Sequence, residues 1–216
     1  KSRYIPRVID GATVAFALTE AMAGSDVANL DMRYEKDGDA YILNGTKIFI
    51  TSGAEAEFVT TFATRDKSLG HKGISAFIVD KGTPGFSVGK TERKMGIHPT
   101  SAAELVFDNC RVPAENLLGE EGKGFRIALE AIDASRVTIA AQAVGIAQAA
   151  YDAAVAYAKE RKQFGVEIAR HQGIQFMIAD MAVELDAARL LTYRAAWLTQ
   201  QQGKSPLKEA AMAKLY

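Results

Sequence analysis

The sequence has little of what marks secreted, membrane-spanning or nucleic-acid-binding proteins. Among its 216 residues a single cysteine, Cys110, excludes an internal disulfide and fits a reducing compartment. Lys and Arg together number 26, as do Asp and Glu, so nothing indicates a surface for nucleic acid or an acidic membrane. No apolar run is long enough to span a bilayer. We therefore expect a cytoplasmic protein, or a mitochondrial matrix protein if the source is eukaryotic.

Two common kinds of ligand-site motif are also missing. No G-x-G-x-x-G follows a strand pattern, so a dinucleotide here would not be held by a Rossmann fold. The three histidines, His71, His98 and His171, are far apart and have no metal-ligating neighbours, so we expect no metal.

The first half of the chain has the pattern of a β-domain. Between Val14 and Pro113, short runs rich in β-branched and aromatic residues are bounded by Gly, Pro, Asp or Asn, and no helical pattern interrupts them. Asn44-Gly45 predicts a hairpin between 41–43 and 47–50. This density of strands predicts an antiparallel barrel or sandwich.

The second half is rich in alanine and has a helical period. Two long helices are predicted, separated at Gly165 and ending near Gln202-Gly203, and Ser205-Pro206 opens a third. Mutually apolar helices pack as a bundle. The predicted fold class is α+β: a connector over residues 1–13, a β-domain over 14–118 and the start of a helical bundle over 119–216.

The segment Phe16 to Ser25, FALTEAMAGS, is the candidate binding loop. It reads as the end of a strand followed by a hydroxyl, a carboxylate and small residues, and small side chains let backbone N–H groups approach a planar or anionic ligand. An ordinary turn after a strand is the alternative interpretation.

Motifs along the whole chain resemble, in order, those of the acyl-CoA dehydrogenases. Thr19-Glu20 followed by Gly24-Ser25-Asp26 resembles the family's first signature, and Asn44 to Thr51, NGTKIFIT, resembles its second flavin loop. Arg161 to Gly165 and His171-Gln172 resemble its helical contacts to the flavin phosphates. The resemblance implies an incomplete member of that fold, preceded in the family by a helical domain and followed by the rest of the helical bundle.

The resemblance also implies a cofactor, a substrate and partners. The cofactor is FAD, and the residues placed around it are Phe16, Leu18, Thr19, Gly24, Ser25, Phe49, Ile50, Thr51, Arg161, Gln163, Phe164 and Gln172. The acyl-CoA contacts are Ser25 and, at the opening of the long helix, Asp133 and Arg136, although Asp133 can also be interpreted as a solvated helix charge. In the family, the contacts around Arg161 come from a neighbouring subunit, which implies a homo-oligomer, a dimer of dimers. Electrons would pass to an electron-transfer flavoprotein.

The implied reaction is α,β-dehydrogenation of an acyl-CoA to the trans-2-enoyl-CoA, and it needs a carboxylate base that this sequence does not show. Most family members carry it in a C-terminal loop that would lie beyond Tyr216. A minority carry it just before the helix arginine, where this chain has Ser135, which cannot act as a carboxylate. We therefore expect these 216 residues alone to be inactive.

The sequences of two segments, Met95 to His98 and Pro113 to Gly122, are most similar to those of the short-chain, butyryl-type branch of the family. Two alternatives stay open. The same fold serves acyl-CoA oxidases, and a family member without catalysis could act as a binding or assembly subunit.

Overall fold

The computed structural model describes residues 2–203 and 206–216. The chain separates into two compact units, of which the first ends at Leu129 and the second begins at Glu130. The described part of the first unit contains a short helix, α1 (Ile5–Ile9), and eight strands. The strands are β1 (Val14–Ala17), β2 (Arg33–Asp37), β3 (Ala40–Thr51), β4 (Phe58–Thr64), β5 (Ile74–Asp80), β6 (Phe86–Thr91), β7 (Ala102–Pro113) and β8 (Leu117–Leu118).

These strands form one mixed sheet, with the order β6-β7-β3-β2-β4-β5-β8 and with β1 on β4. The α+β class is confirmed, but the sheet is neither purely antiparallel nor a closed barrel. β1 runs parallel to β4, pairing Val14 with Phe58, and β2 meets β4 in parallel where Arg33 pairs with Thr64. Parallel pairing needs long connections, and sequence patterns show little of how distant strands pair.

The predicted hairpin at Asn44-Gly45 is wrong. β3 runs straight through these residues, and the turn lies earlier, at Gly38, between β2 and β3. Asn44-Gly45 instead forms a bulge against β7, where the pairing register shifts. Gly45 has φ of 148°, and an added Cβ would lie 2.7 Å from Cα of Met32. A glycine inside a strand often marks such a bulge or close approach.

The core of the first unit is apolar and aromatic. Tyr34, Tyr41 and Phe77 pack with ring centroids 5.1 to 5.7 Å apart, in the tilted and edge-on arrangements that aromatic rings favour. The hydroxyl groups of Tyr34 and Tyr41 both donate to the Glu121 carboxylate at the edge of this core. The sheet therefore gives a rigid support to the loops at its margins.

The segment predicted as a connector contains α1, whose first turn accommodates Pro6. Tyr4 is buried against Phe58, and Arg3 and Arg7 both pair with Asp80 at the end of β5. These contacts fix α1 to the first unit.

The second unit is helical, as predicted. Helix α2 (Gly124–Glu160) begins before the unit boundary and is followed by β9 (Lys162–Gln163), β10 (Val166–Glu167), α3 (Gln172–Gln202) and α4 (Leu207–Leu215). Helix α3 ends at Gly203, a left-handed cap with φ of 66°. The third helix starts after Pro206, and Ser205 lies outside the described residues. None of the helices within the described ranges is both long enough and apolar enough to cross a membrane.

Candidate functional site

Two of the loops singled out from the sequence meet beside β1 and β3. The chain leaves β1 at Ala17, and the carbonyl oxygen of Thr19 accepts a hydrogen bond of 2.9 Å from the backbone N–H of Ile48. The β1 loop is thus bonded directly to the segment that resembles the second flavin loop. Thr19 is half-buried, and the ring of Phe16 is 40% exposed beside Phe62.

The segment of β3 that receives this bond is bulged. The pairing of β3 with β7 shifts between Lys47 and Ile50, so Ile48 and Phe49 leave the regular ladder. The Ile48 N–H is therefore free to bond the β1 loop. Phe49 has φ of 58° and its ring is 61% exposed. Left-handed backbone is uncommon for a bulky residue and is often found at functional sites.

A buried ion pair lies behind this junction. Nζ of Lys47 is 2.6 Å from Oε1 of Glu20 and donates a second hydrogen bond, 3.1 Å long, to the carbonyl oxygen of Leu18. The Glu20 carboxylate also accepts from the backbone N–H groups of Asp31 and Met32. Burial lowers the pKa of Lys47 from 10.5 to about 8, and the attraction of Glu20 opposes this shift.

The loop that follows Glu20 is small and open. Glu20 and Ala23 exchange backbone hydrogen bonds and so close a tight turn. Gly24 and Ser25 are exposed, and a Cβ added to Gly24 would meet no atom of the protein within 4 Å. The glycine is thus not required by packing within the chain, and it leaves room beside the backbone. Phe16 and Phe49, which the sequence resemblance also assigns to the cofactor, are likewise exposed.

The remaining residues of the second flavin loop differ in their surroundings. Ile50 is 2% exposed and packs in the sheet core, so only its backbone could contact a ligand. Thr51 is exposed at the end of β3, opposite Ala102. Ser52, the next residue, is also left-handed, with φ of 56°.

The residues placed at the acyl-CoA lie on α2. They were expected at the opening of the long helix, but α2 begins at Gly124, so Asp133 lies more than two turns inside it. Nε of Arg136 donates to Oδ1 of Asp133 over 3.2 Å, and both side chains are partly exposed. The hydroxyl of Ser135 donates to the carbonyl oxygen of Ile132.

Most of the residues placed at the flavin phosphates lie at a β-hairpin, and only Gln172 lies on a helix. β9 and β10 pair through a two-residue turn formed by Phe164 and Gly165, with φ of 53° and 82°. Positive φ at both turn residues is typical of the tight hairpin turn that matches strand twist. Phe164 is 94% exposed at the tip and contacts His171 edge-on. Arg161 and Gln163 flank this turn and Gln172 opens α3; all three are exposed.

Other reactive groups are not arranged as a site. Cys110 is buried in β7, and burial raises its thiol pKa to about 11, so it is a poor nucleophile. Within the described residues, no group of three or more His, Cys, Asp or Glu side chains could hold a metal ion. A cavity of about 450 Å³ lies among α2, α3 and α4, lined mostly by apolar side chains and by none of the predicted site residues.

The sequence motifs placed Glu20 in the β1 loop and Lys47 in the second flavin loop, but they predicted no individual role for either side chain. A signal was available for Lys47: in a strand whose buried positions include Tyr41, Leu43 and Ile50, a lysine in an inward position requires a buried acceptor.

Comparisons with known proteins identify the family to which this chain is similar. Two family models match: the acyl-CoA dehydrogenase middle domain over residues 15–110 and the acyl-CoA dehydrogenase C-terminal domain over residues 122–216. A relative from Anaerotignum propionicum named acryloyl-CoA reductase (NADH) is 52% identical over 100% of this chain and 55% of its own length.

Two solved structures have nearly the same fold. Butyryl-CoA dehydrogenase from Megasphaera elsdenii superposes with a TM-score of 0.94 at 49% identity, over 98% of this chain and 55% of that one. A chain in the structure of the electron transferring flavoprotein of Acidaminococcus fermentans gives a TM-score of 0.94 at 52% identity, over 98% of this chain and 56% of that one. This chain therefore spans about half the length of the relatives it matches, and it belongs to the acyl-CoA dehydrogenase family.

Proposed function

We propose that the full-length protein uses FAD to dehydrogenate a short-chain acyl-CoA thioester between its α and β carbons. The observation that carries this proposal is the junction of the β1 loop with the bulged segment of β3. It places the half-buried Thr19, the open backbone at Gly24 and the exposed Phe49 beside one sheet. The similarity to butyryl-CoA dehydrogenase supports the short-chain substrate.

FAD, when bound, would supply the hydride acceptor. The part of this chain is to bind and orient it. We expect Thr19, Thr51 and the backbone N–H groups of the loop to donate hydrogen bonds, because donors fixed before the reaction stabilise developing negative charge without reorganising. Phe49 would pack against the ring and exclude water from one side of it.

The second unit would supply contacts to phosphate groups. Arg136 is held by Asp133 and is partly exposed, so its guanidinium is oriented and can still reach an anionic group of CoA. Arg161 and Gln163 lie beside an exposed hairpin tip, where they could reach FAD bound to a neighbouring subunit. In that arrangement the complete site requires a homodimer or a larger assembly such as a tetramer.

The proton acceptor is proposed to be a glutamate outside this chain. The Glu20 carboxylate is buried and is occupied by Lys47 and two backbone N–H groups, so it is not free to accept a proton from a substrate. The Ser135 hydroxyl donates to its own helix. Electron-transfer flavoprotein is proposed as the electron acceptor, supported by the similarity to a chain in the Acidaminococcus fermentans structure. A cytoplasmic or matrix location stays a prediction.

The test is an anaerobic visible spectrum of the full-length protein before and after butyryl-CoA is added. Bleaching of the flavin band, with crotonyl-CoA as the product, is the expected result. A protein isolated with FAD that stays unbleached by butyryl-CoA and by longer or branched thioesters would contradict the proposed reaction. A protein that binds no FAD would contradict the proposed cofactor.

The opposite direction of the same chemistry is a second candidate, because the Anaerotignum propionicum relative is named for the reduction of acryloyl-CoA with NADH. Oxidation of NADH that depends on acryloyl-CoA, assayed with the full-length protein and its electron-transferring partner, would favour this direction. Bleaching by butyryl-CoA without NADH-dependent turnover would favour dehydrogenation.

A further inference from the structure

The Lys47–Glu20 pair is enclosed although the loop beside it is open. The Lys47 side chain is 0% exposed and that of Glu20 is 4% exposed, whereas Met22, Gly24 and Ser25 in the following loop are exposed. Lys47 immediately precedes the bulged residues Ile48 and Phe49, and Glu20 immediately follows Thr19. Glu20 is therefore adjacent in sequence to Thr19, and Lys47 is two residues from Phe49, and we assign both of these neighbours to the cofactor site.

Glu20 closes the base of the loop at two places. Its backbone N–H and carbonyl bond Ala23 on one side. Its carboxylate bonds the N–H of Asp31 at 2.6 Å and the N–H of Met32 at 3.2 Å on the other side, where the chain re-enters the sheet. The whole segment from Ala21 to Leu30 is thus held at its base by one side chain.

Lys47 connects that base to β3. It bonds both the Glu20 carboxylate and the carbonyl oxygen of Leu18, while the neighbouring Ile48 N–H bonds the carbonyl oxygen of Thr19. Three successive residues of the β1 loop are therefore fixed to two successive residues of β3. Movement of either charged side chain would change the position of Thr19 relative to Phe49.

Stability alone does not explain this arrangement. Removing two charges from water is costly, and apolar residues of similar volume often replace a buried ion pair without loss of stability. What apolar residues could not supply is an acceptor for the backbone N–H groups at the base of the loop. Building on the proposed FAD site, we propose that Lys47 and Glu20 are positioning residues that hold the β1 loop and the β3 bulge in the arrangement that binds the flavin.

The test compares FAD affinity with folding stability in the full-length protein. Three proteins are compared: wild type, Lys47→Met, and the double variant Lys47→Met/Glu20→Met. For each, the dissociation constant of FAD added to the flavin-free protein is measured together with unfolding by urea. We expect FAD to bind roughly tenfold more weakly or worse in both variants, as for loss of a charged hydrogen bond.

The double variant separates the two roles, because it removes both charges and leaves no unpaired ion. We expect it to regain the stability that the unpaired Glu20 charge costs Lys47→Met, less the cost of leaving the N–H groups of Asp31 and Met32 without an acceptor, and to remain weak in FAD binding. Hydrogen exchange in the flavin-free variants supplies a readout that needs no cofactor. The amides of Ala21 to Ser25 and of Asp31 and Met32 should exchange faster than in wild type.

Ser75→Ala is the matched control. Ser75 is buried in the same sheet and bonds the Tyr34 hydroxyl and the Gly122 N–H, but it has no contact with the β1 loop among its hydrogen bonds. The Ser75→Ala variant should be less stable than wild type, with unchanged FAD affinity and unchanged amide hydrogen exchange in the β1 loop. FAD affinity that follows stability across all these variants, Ser75→Ala included, would overturn the inference alone. A wild-type protein that binds no FAD would overturn the inference and the proposed cofactor together.

Discussion

Phe49 is the residue at which backbone strain and exposure coincide. A left-handed φ of 58° destabilises a non-glycine residue by roughly 1–2 kcal/mol. Phe49 is 61% exposed, so burial of its ring offsets little of this strain. Such a residue persists where surrounding contacts fix it. Here they are the bond from Ile48 to Thr19 and the core packing of Ile50. The strain supports a role for the ring in binding a ligand.

Glycine should therefore be tolerated better than alanine at this position. At an ordinary strand position glycine is the less stable of the two, but at a left-handed position it relieves strain. We expect Phe49→Gly to be more stable than Phe49→Ala by about 1 kcal/mol in urea unfolding. An alanine variant that is equal or more stable would show that the strain is absent. Both variants should bind FAD more weakly than wild type.

Lys47 predicts a dependence of stability on pH. The unfolded chain keeps this proton up to its ordinary pKa of 10.5, whereas the folded protein releases it near pH 8 because burial disfavours the ammonium. Between these values the unfolded state binds more protons, so the Lys47 contribution to the free energy of unfolding increases with pH. Below about pH 8 the full cost of the buried charge is present.

The free energy of unfolding of wild type, minus that of Lys47→Met, should therefore rise by roughly 1–3 kcal/mol across this range. Urea titrations of both proteins at several pH values measure this difference. A difference that stays constant or falls with pH would contradict the buried ammonium.

At the scale of elements, the sequence predicted the strands and the long helices better than their pairing. β4, β5 and β7 contain three of the β-branched and aromatic runs found between Val14 and Pro113, at 58–63, 74–79 and 104–107, and the predicted helix end at Gly203 is confirmed. Asn44-Gly45 was wrongly predicted to form a hairpin turn, because a glycine with positive φ is found in bulges as well as in turns. The close approach of Met32 to Gly45 distinguishes the bulge, and the sequence pattern does not show that approach. The hairpin at Phe164 was missed because its turn contains a phenylalanine instead of the usual Asn-Gly.

The bulge at Gly45 gives the prediction that belongs to this scale. Gly45→Ala places a Cβ against the Met32 backbone as well as at an unfavourable φ, so we expect a loss of about 2 kcal/mol or more. Gly38→Ala is the control, since Gly38 has φ of 59° but open space around it, and it should lose only about 1 kcal/mol. Thermal unfolding compares them. Equal losses of stability in the two variants would show that Met32 does not restrict the side chain at position 45.

At the scale of the whole molecule, the candidate site was predictable in part. The motif resemblance identified both loops that meet at Thr19 and Ile48, because each carries a local signature. The Lys47–Glu20 pair that joins them was not predicted as a pair, because it depends on two inward side chains that the sheet brings together across 27 residues. The ligand contacts assigned to the hairpin and to α2 rest on the motif resemblance alone, and they stay predictions.

The most direct test of this account measures where FAD binds. Hydrogen exchange in the full-length protein, with and without FAD, reports protection along the whole chain. We predict that FAD protects the amides of Leu18 to Ser25 and of Lys47 to Ser52 together, because these segments form one junction. Protection of neither segment, with FAD bound elsewhere, would contradict the account.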